Sequence, residues 1–337
     1  MIISSPNFSQ RNKKIIRQQN IFSKSLVIFC EVAFISQMHI MKKKLSILIP
    51  EYNTCCIKLV KSIQEQVSLI NDLIYEIIVA DDGSTNEKEW ASNQSISNWS
   101  NCLFIRRDVN VGRAKIRNFL AQKAKYPWLL FIDCDMSIQN SDYISKYLQS
   151  EGDVIYGGYL TDNNPNKHIN NLRYIYEKKA ERTHTYLERR KNPYQDFHTS
   201  NFLIKREIMI RIPFDERFEH YGYEDVVFGR QLKENGIRIN HINNPVIFED
   251  FEDNEHFIIK TEEGLQTLSA FSNDLKGYST LIKITTFLQR YHLINIIRMI
   301  YKITQKRIRK SLIGNHPKTF FFSFYKLGYF ISIHKFH

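Results

Sequence analysis

The sequence predicts an α/β fold, a mostly parallel sheet flanked by helices, with a basic helical extension at its C-terminal end. Three observations predict it. From Leu45 onward, short apolar runs alternate with stretches of helical spacing, the pattern of successive strand–helix–strand units. Carboxylates directly follow three of the apolar runs, where an open parallel sheet binds its ligands. Leu275–His337 holds twelve Lys or Arg and no Asp or Glu, so elsewhere thirty-five basic residues balance all thirty-five acidic ones.

Leu45–Pro50 reads as the first strand, Ile57–Ile70 as a helix and Tyr75–Ala80 as the second strand. Leu103–Arg106 is the third strand, Arg113–Lys123 a helix, Trp128–Ile132 the fourth strand and Asp153–Tyr159 a fifth. Asp162–Phe197 is polar and rich in Arg, Lys, Asn and Tyr, which fits a long exposed helix or a mobile segment. Sheet character returns at Asn201–Ile204. Glu224–Asn235 is helical and ends at Gly236, the residue a helix C-terminus favours. Ile237–Ile242 and Pro245–Phe248 are strand-like. The expected organisation is therefore an N-terminal extension over 1–44, a domain over 45–274 and a basic amphipathic helical tail over 275–337.

Composition narrows the class. With 43% hydrophobic and 24% charged residues, the chain is globular, which removes disordered and collagen-like readings. Its five cysteines are odd in number and without C-x-x-C spacing, so neither a zinc site nor a disulfide framework is indicated and a reducing cytosol is the expected setting. The longest apolar run, Ser25–Ser36, is too short to span a bilayer, contains Glu31 and is followed by no cleavage pattern. Translation is expected to begin at Met41 or Met38, leaving 1–44 disordered or largely untranslated.

The chemistry lies at the strand ends: Glu51-Tyr52-Asn53 after the first, Asp81-Asp82-Gly83-Ser84 after the second and Asp133-Cys134-Asp135 after the fourth. Carboxylates on neighbouring strand ends repel unless a cation or a set of donors lies between them. Residues i and i+2 of an extended segment point the same way, so Asp133 and Asp135 present two hard oxygen ligands on one side, suited to Mg²⁺ or Mn²⁺. Asp-Gly-Ser is ordinary turn chemistry, but the pair Asp81-Asp82 also suits the N–H and O–H donors of a nucleotide's base and ribose. A dinucleotide-binding G-x-G-x-x-G is absent, and Gly152–Gly157 is followed by Gly158 rather than the lysine of a P-loop.

Several of these segments together resemble family 2 glycosyltransferases of the GT-A fold. The resemblance is carried by Ser46–Asn53, Ile77–Thr85, Asn110–Asn118, Leu130–Asp135, Phe214–Phe218 and Gly222–Asp225, in the family's order, across about Leu45–Phe248. It implies a Rossmann-like sheet, a nucleotide-sugar donor and a D-x-D motif. Pro50, Tyr52, Asn53 and Asp82 would line the nucleotide pocket, Asp82 accepting from the base. Asp133 would touch ribose or metal, and Asp135 would ligate the Mn²⁺ or Mg²⁺ on the diphosphate. Arg113, Lys115 or Arg117 would reach the same pocket, while Asn118 would cap or pack locally.

Transfer to a hydroxyl needs a base, and Asp225 is the candidate, with Glu224 binding an acceptor hydroxyl or orienting the base. Acidic residues in a first helical turn also have a purely local electrostatic use. The expected reaction is inverting transfer from a nucleoside-diphosphate sugar, UDP-linked, to a glycan or lipid-linked acceptor. Many GT-A enzymes add a metal-binding histidine about two dozen residues past the Glu-Asp pair. Phe248 stands there instead, with His241 or Glu249 as substitutes. His198, Thr199 and Asn201 are candidates for the acceptor cleft.

In the tail, Ile284, Phe287, Tyr291 and Ile294 share a helical side within Leu281–Arg309, followed by aromatic Phe320–Phe330 among lone lysines. Apolar residues with only positive charge suit an anionic membrane surface. The expected location is the cytoplasm, peripheral on the inner face of the plasma membrane, without nucleic acid. Two other classes remain open: a weakened GT-A-like domain serving as a membrane- or nucleic-acid-binding module, and a nucleotidyltransferase.

Overall fold

The computed structural model describes residues 42–336. Residues 1–41, on which most of the expected N-terminal extension and the start-codon reading fall, lie outside them. The domain alternates strands and helices as expected. It begins β1 (Lys44–Glu51), α1 (Ile57–Val67), β2 (Ile74–Asp81), α2 (Glu87–Gln94), β3 (Cys102–Arg106), α3 (Arg113–Lys123), β4 (Trp128–Ile132). After β5 (Met136–Ser137) and α4 (Tyr143–Gln149), the expected fifth strand divides at Gly157–Gly158 into β6 (Val154–Tyr156) and β7 (Tyr159–Thr161). The polar 162–197 stretch is neither one long helix nor structureless. It forms α5 (Pro165–His168), α6 (Leu172–Glu181) and α7 (Tyr186–Arg189), anchored by buried Leu172, Tyr174 and Arg189. Then follow β8 (Asn201–Lys205), α8 (Arg206–Arg211), α9 (Glu224–Glu234), β9 (Ile239–His241), β10 (Val246–Phe248) and α10 (Asn254–Ala270).

Seven strands form the main sheet in the order β3-β2-β1-β4-β8-β6-β9. β1 pairs in parallel with both β2 and β4, whereas β8 runs antiparallel to β4 and β6. β1 is buried from Leu45 to Glu51 because both faces of the sheet are covered. Ile47 and Ile49 share a buried cluster with Val60 and Ile63 of α1, and Leu48 shares another with Ile116 and Leu120 of α3. The chain winds outward from β1 on one side through β2 and β3, then returns to add β4 on the other. The crevice at this reversal lies beyond the ends of β1 and β4, where such sheets bind ligands. β5, β10 and β7 form a second sheet in the order β5-β10-β7.

Residues 275–336 form α11 (Thr280–Arg290), α12 (Ile294–Ile313) and α13 (Thr319–Ile333). The single helix read over Leu281–Arg309 is broken at Tyr291–Leu293, where His292 takes a left-handed φ of 56°. These helices pack back on the domain. Leu275 and Phe330 share a buried cluster with Phe218 and Val227, and Phe322 and Tyr325 share one with Leu172, Phe257 and Tyr301. Gly328 lets α13 approach α12 closely, since a Cβ there would lie 2.2 Å from the Tyr301 ring. Among the described residues no helix is long and apolar enough to cross a membrane.

Candidate active site

A cleft of about 330 Å³ opens at the β1/β4 reversal. Pro50, Glu51 and Tyr52 line it from β1 and the residue after it, Asp82 from the residue after β2, Arg113 and Arg117 from α3, and Asp133 and Asp135 from the loop after β4. The sequence-derived set is thus largely brought together. Tyr52, which lines the cleft, is 44% exposed. Asp82 accepts hydrogen bonds from the Val111 N–H at 3.1 Å and the Gly112 N–H at 3.0 Å. It therefore holds the start of α3 as well as lining the cleft. Gly112, at φ 90°, permits this turn, because a Cβ would lie 2.5 Å from the Glu219 carbonyl oxygen.

Asn53, Asp81, Glu224 and Asp225 stand apart from that lining. Asp81 is fully buried, with Oδ1 accepting from the Ser84 N–H at 2.8 Å and Oδ2 lying 3.7 Å from Arg106 Nε. Asn53, at φ 52°, accepts from the Thr85 and Asn86 N–H groups at 2.9 and 2.8 Å. Both shape the paired loops after β1 and β2. Lys115 is also off the cleft and pairs with Glu219 at 2.6 Å. Asn118 packs locally as expected, exchanging hydrogen bonds with the backbone of Phe214.

Glu51 is 1% exposed, and burial above all pushes its carboxyl up to about 7; Asp81 raises it further, against the Thr54 N–H and the Ser84 hydroxyl. A folded-state value above the unfolded one means that stability is lost as pH rises from the ordinary carboxylate range through about 7. Glu51→Gln keeps an acceptor for Thr54 and removes the buried charge. It should stabilise the protein by about 1–3 kcal/mol at pH 8 and hardly at all at pH 5, read from urea midpoints. An equal effect at both values would show that this carboxyl is ionised throughout.

Asp133 and Asp135 differ in environment. Arg117, 1% exposed, donates to Asp133 Oδ1 at 2.5 Å and to the Arg113 carbonyl at 3.1 Å, and its Nη1 lies 3.9 Å from Glu224. The Asp135 carboxyl is raised to about 6, by burial first and then by the charge of Asp133, with Arg113 and Arg173 opposing. Burial pushes the intervening Cys134 thiol far up, so it stays protonated. Among the described residues no group of three or more His, Cys, Asp or Glu side chains forms a metal cage. Two carboxylates on an open cleft, one destabilised by the other, nonetheless fit a Mg²⁺- or Mn²⁺-type ion whose remaining ligands are phosphate oxygens and water.

The expected substitutes for a third protein ligand fare differently. His241 is fully buried, lies 2.8 Å from the Pro193 carbonyl and is lowered to about 4, mainly by burial. It belongs to the core. Glu249 accepts from Ser137 at 2.6 Å and shares a groove with Asp135. Phe248 is covered by the Arg173 guanidinium, 4.2 Å above its ring.

Asp225 and Glu224 begin α9 after two left-handed residues, Gly222 at φ 97° and Tyr223 at φ 72°. A tyrosine rarely adopts that conformation, and such strain concentrates at functional sites. Glu224 is 4% exposed and lies 3.9 Å from both Arg113 and Arg117. Asp225 meets His198, with Nδ1 2.9 Å from Oδ2, while Oδ1 accepts from the Val226 N–H. Burial alone would raise the Asp225 carboxyl, but the His198 contacts hold it below its usual range. Burial likewise opposes the charged imidazole, and Asp225 raises it. His198 also borders a small cavity lined by Tyr156, Tyr159, Glu177, His184 and Asp196. Thr199 and Asn201 are buried, and Asn201 bonds Tyr143 and Tyr147 instead of facing this cavity.

Residues 46–212 match the model for glycosyl transferase family 2. These residues are a family 2 glycosyltransferase domain. It is 27% identical over 220 residues to a chondroitin synthase of Pasteurella multocida, covering 56% of this chain and 23% of the relative. Against a chondroitin synthase of Escherichia coli it is 26% identical over 235 residues, covering 57% and 32%. The chain thus spans about a quarter to a third of the length of these relatives. A mannosyltransferase from Pyrobaculum calidifontis, solved with GDP-mannose and Mn²⁺, superposes with a TM-score of 0.51 at 11% identity, covering 86% of this chain and 84% of that one. That similarity shows a shared fold, the GT-A type. Sequence reading of the glycosyltransferase domain missed Glu219, His220, Tyr221, Lys260 and Glu263, which also line the cleft. They arrive from α10 and the loop before α9, and carry no local motif.

Proposed function

We propose that the chain is an inverting glycosyltransferase moving a sugar from a nucleoside-diphosphate sugar, UDP-linked, to a hydroxyl of a glycan or lipid-linked acceptor. The observation that supports it best is the single cleft joining Tyr52, Asp82, Arg113, Asp133 and Asp135 at the sheet's reversal. Tyr52 offers a face for the base, and Arg113 offers a cation to the diphosphate. Asp135 and the second oxygen of Asp133 would hold Mn²⁺ or Mg²⁺, which when bound would offset negative charge on the diphosphate.

The chain's own residues supply the remaining chemistry. Asp225 takes the proton of the acceptor hydroxyl as its oxygen bonds to the anomeric carbon. The bond from that carbon to the diphosphate oxygen breaks on the opposite face, and its electron pair leaves with the nucleoside diphosphate. His198 orients Asp225 from behind, and Glu224, clamped by Arg113 and Arg117, couples the base to the donor cleft. Peripheral attachment at the inner face of the plasma membrane is part of this reading, since it would bring a lipid-linked acceptor to a cytoplasmic donor site.

A thermal-shift panel of nucleotide sugars with and without Mn²⁺ tests it. The expected result is stabilisation by UDP sugars that grows with Mn²⁺, and loss of the Mn²⁺ increment in Asp135→Asn. No shift with any nucleotide sugar would overturn the assignment. Pyrophosphate release from a nucleoside triphosphate would favour a nucleotidyltransferase.

A further inference from the structure

The C-terminal helices divide their apolar residues in a way the charge pattern alone does not show. α13 turns Phe322, Tyr325, Phe330 and Ile331 into the core, where all are at most 3% exposed. α12 is apolar on two faces. Its inner face buries Ile294, Tyr301 and Leu312, while its outer face carries Ile296, Met299, Ile300 and Ile303, 49, 58, 40 and 72% exposed. That spacing of i, i+3, i+4 and i+7 is one continuous helical stripe. α11 presents a second, with Ile284 and Phe287 at 42 and 58%, continued by Tyr291 at 56% in the following turn. Scattered exposed apolar residues need no explanation, but ordered stripes on consecutive helices mark a contact surface.

The charges identify the occupant. Lys283, Arg290, Lys302, Lys306, Arg307 and Lys310 are exposed on these two helices, and among the described residues none pairs with a carboxylate. A second copy would oppose one positive face to another, and a nucleic acid would leave the isoleucines unused. An anionic bilayer uses both: the stripe enters the headgroup–acyl boundary, and the long basic side chains reach outward to lipid phosphates. We infer that the outer faces of α11 and α12 form an interfacial docking surface for an anionic lipid bilayer, with Ile296, Met299, Ile300 and Ile303 as its inserted edge. This deepens the membrane part of the proposed function, and its test needs neither donor nor acceptor, so its failure would leave the glycosyl-transfer test standing.

Full-length protein is mixed with phosphatidylcholine vesicles, with or without phosphatidylserine, and floated at low and high salt. Wild type should float with the anionic vesicles, less so at high salt, and partition should fall about fivefold for each exposed basic residue removed. Met299→Gln/Ile303→Gln should lose at least tenfold in partition while keeping the wild-type thermal midpoint, since both side chains are exposed. Leu69→Gln, 79% exposed on another part of the domain, should change nothing. Absence of flotation, or equal flotation of the double variant, would overturn the proposal. So would a concentration-dependent dimer that the double variant abolishes, which would assign the surface to a second copy.

Discussion

Asp225→Asn should lower kcat by about 10²–10⁴-fold with little change in donor-induced thermal shift, because it removes a proton acceptor and leaves the donor cleft intact. Asparagine keeps the size of the side chain and an oxygen for the Val226 N–H. Near-normal turnover at saturating donor and acceptor would remove Asp225 from the base role. The His198 contact adds a pH signature. The protonated imidazole lowers the proton affinity of Asp225, so turnover should rise as pH passes through the His198 value, which lies above the ordinary imidazole range. His198→Gln should abolish that inflection.

The same pair sets a stability window. The depressed Asp225 carboxyl contributes stability above its unfolded value of about 4 and loses it as pH falls through the folded value. The raised His198 contributes fully below about 6.5 and loses it as pH rises through its folded value. The destabilisation caused by Asp225→Asn should therefore be largest between about pH 4 and 6.5 and shrink as pH rises past the His198 value. A deficit independent of pH would mean that the two groups are not an ion pair.

Arg117→Met should cost about 3–5 kcal/mol, the second large effect. Its buried guanidinium donates to Asp133 and the Arg113 carbonyl and lies near Glu224, so its loss leaves two carboxylates without their shared cation. Arg117→Lys should recover only part, because an ammonium lacks the planar fork that reaches several partners together. Urea midpoints decide between this and a merely solvated helix face, for which the loss would stay below about 1 kcal/mol.

The strands and helices that build the cleft were legible where the signal was local. Apolar runs ending in Pro50, Ala80 and Ile132 marked three strand ends to within a residue, and the spacing from Arg113 to Lys123 marked the helix between them. The split of 154–161 at Gly157–Gly158 and the break at His292 were not legible, because a short interruption barely alters an apolar pattern. Resemblance across several motifs pointed to the donor side. It could not show that Asp81 and Asn53 hold the paired loops together while Asp82 lines the cleft.

By itself, the sequence determined the strand–helix alternation, the placing of acidic residues at strand ends and the all-basic C-terminal segment, since periodicity and charge are properties of neighbours along the chain. Only the tertiary structure decided which carboxylate meets which cation. Arg117 reaches Asp133 and lies near Glu224 across widely separated segments, and His198 meets Asp225 across twenty-seven positions. It also decided that α13 belongs to the core while α12 keeps an exposed apolar stripe. Such pairings depend on how faces close over one another, and no local pattern encodes which face is covered.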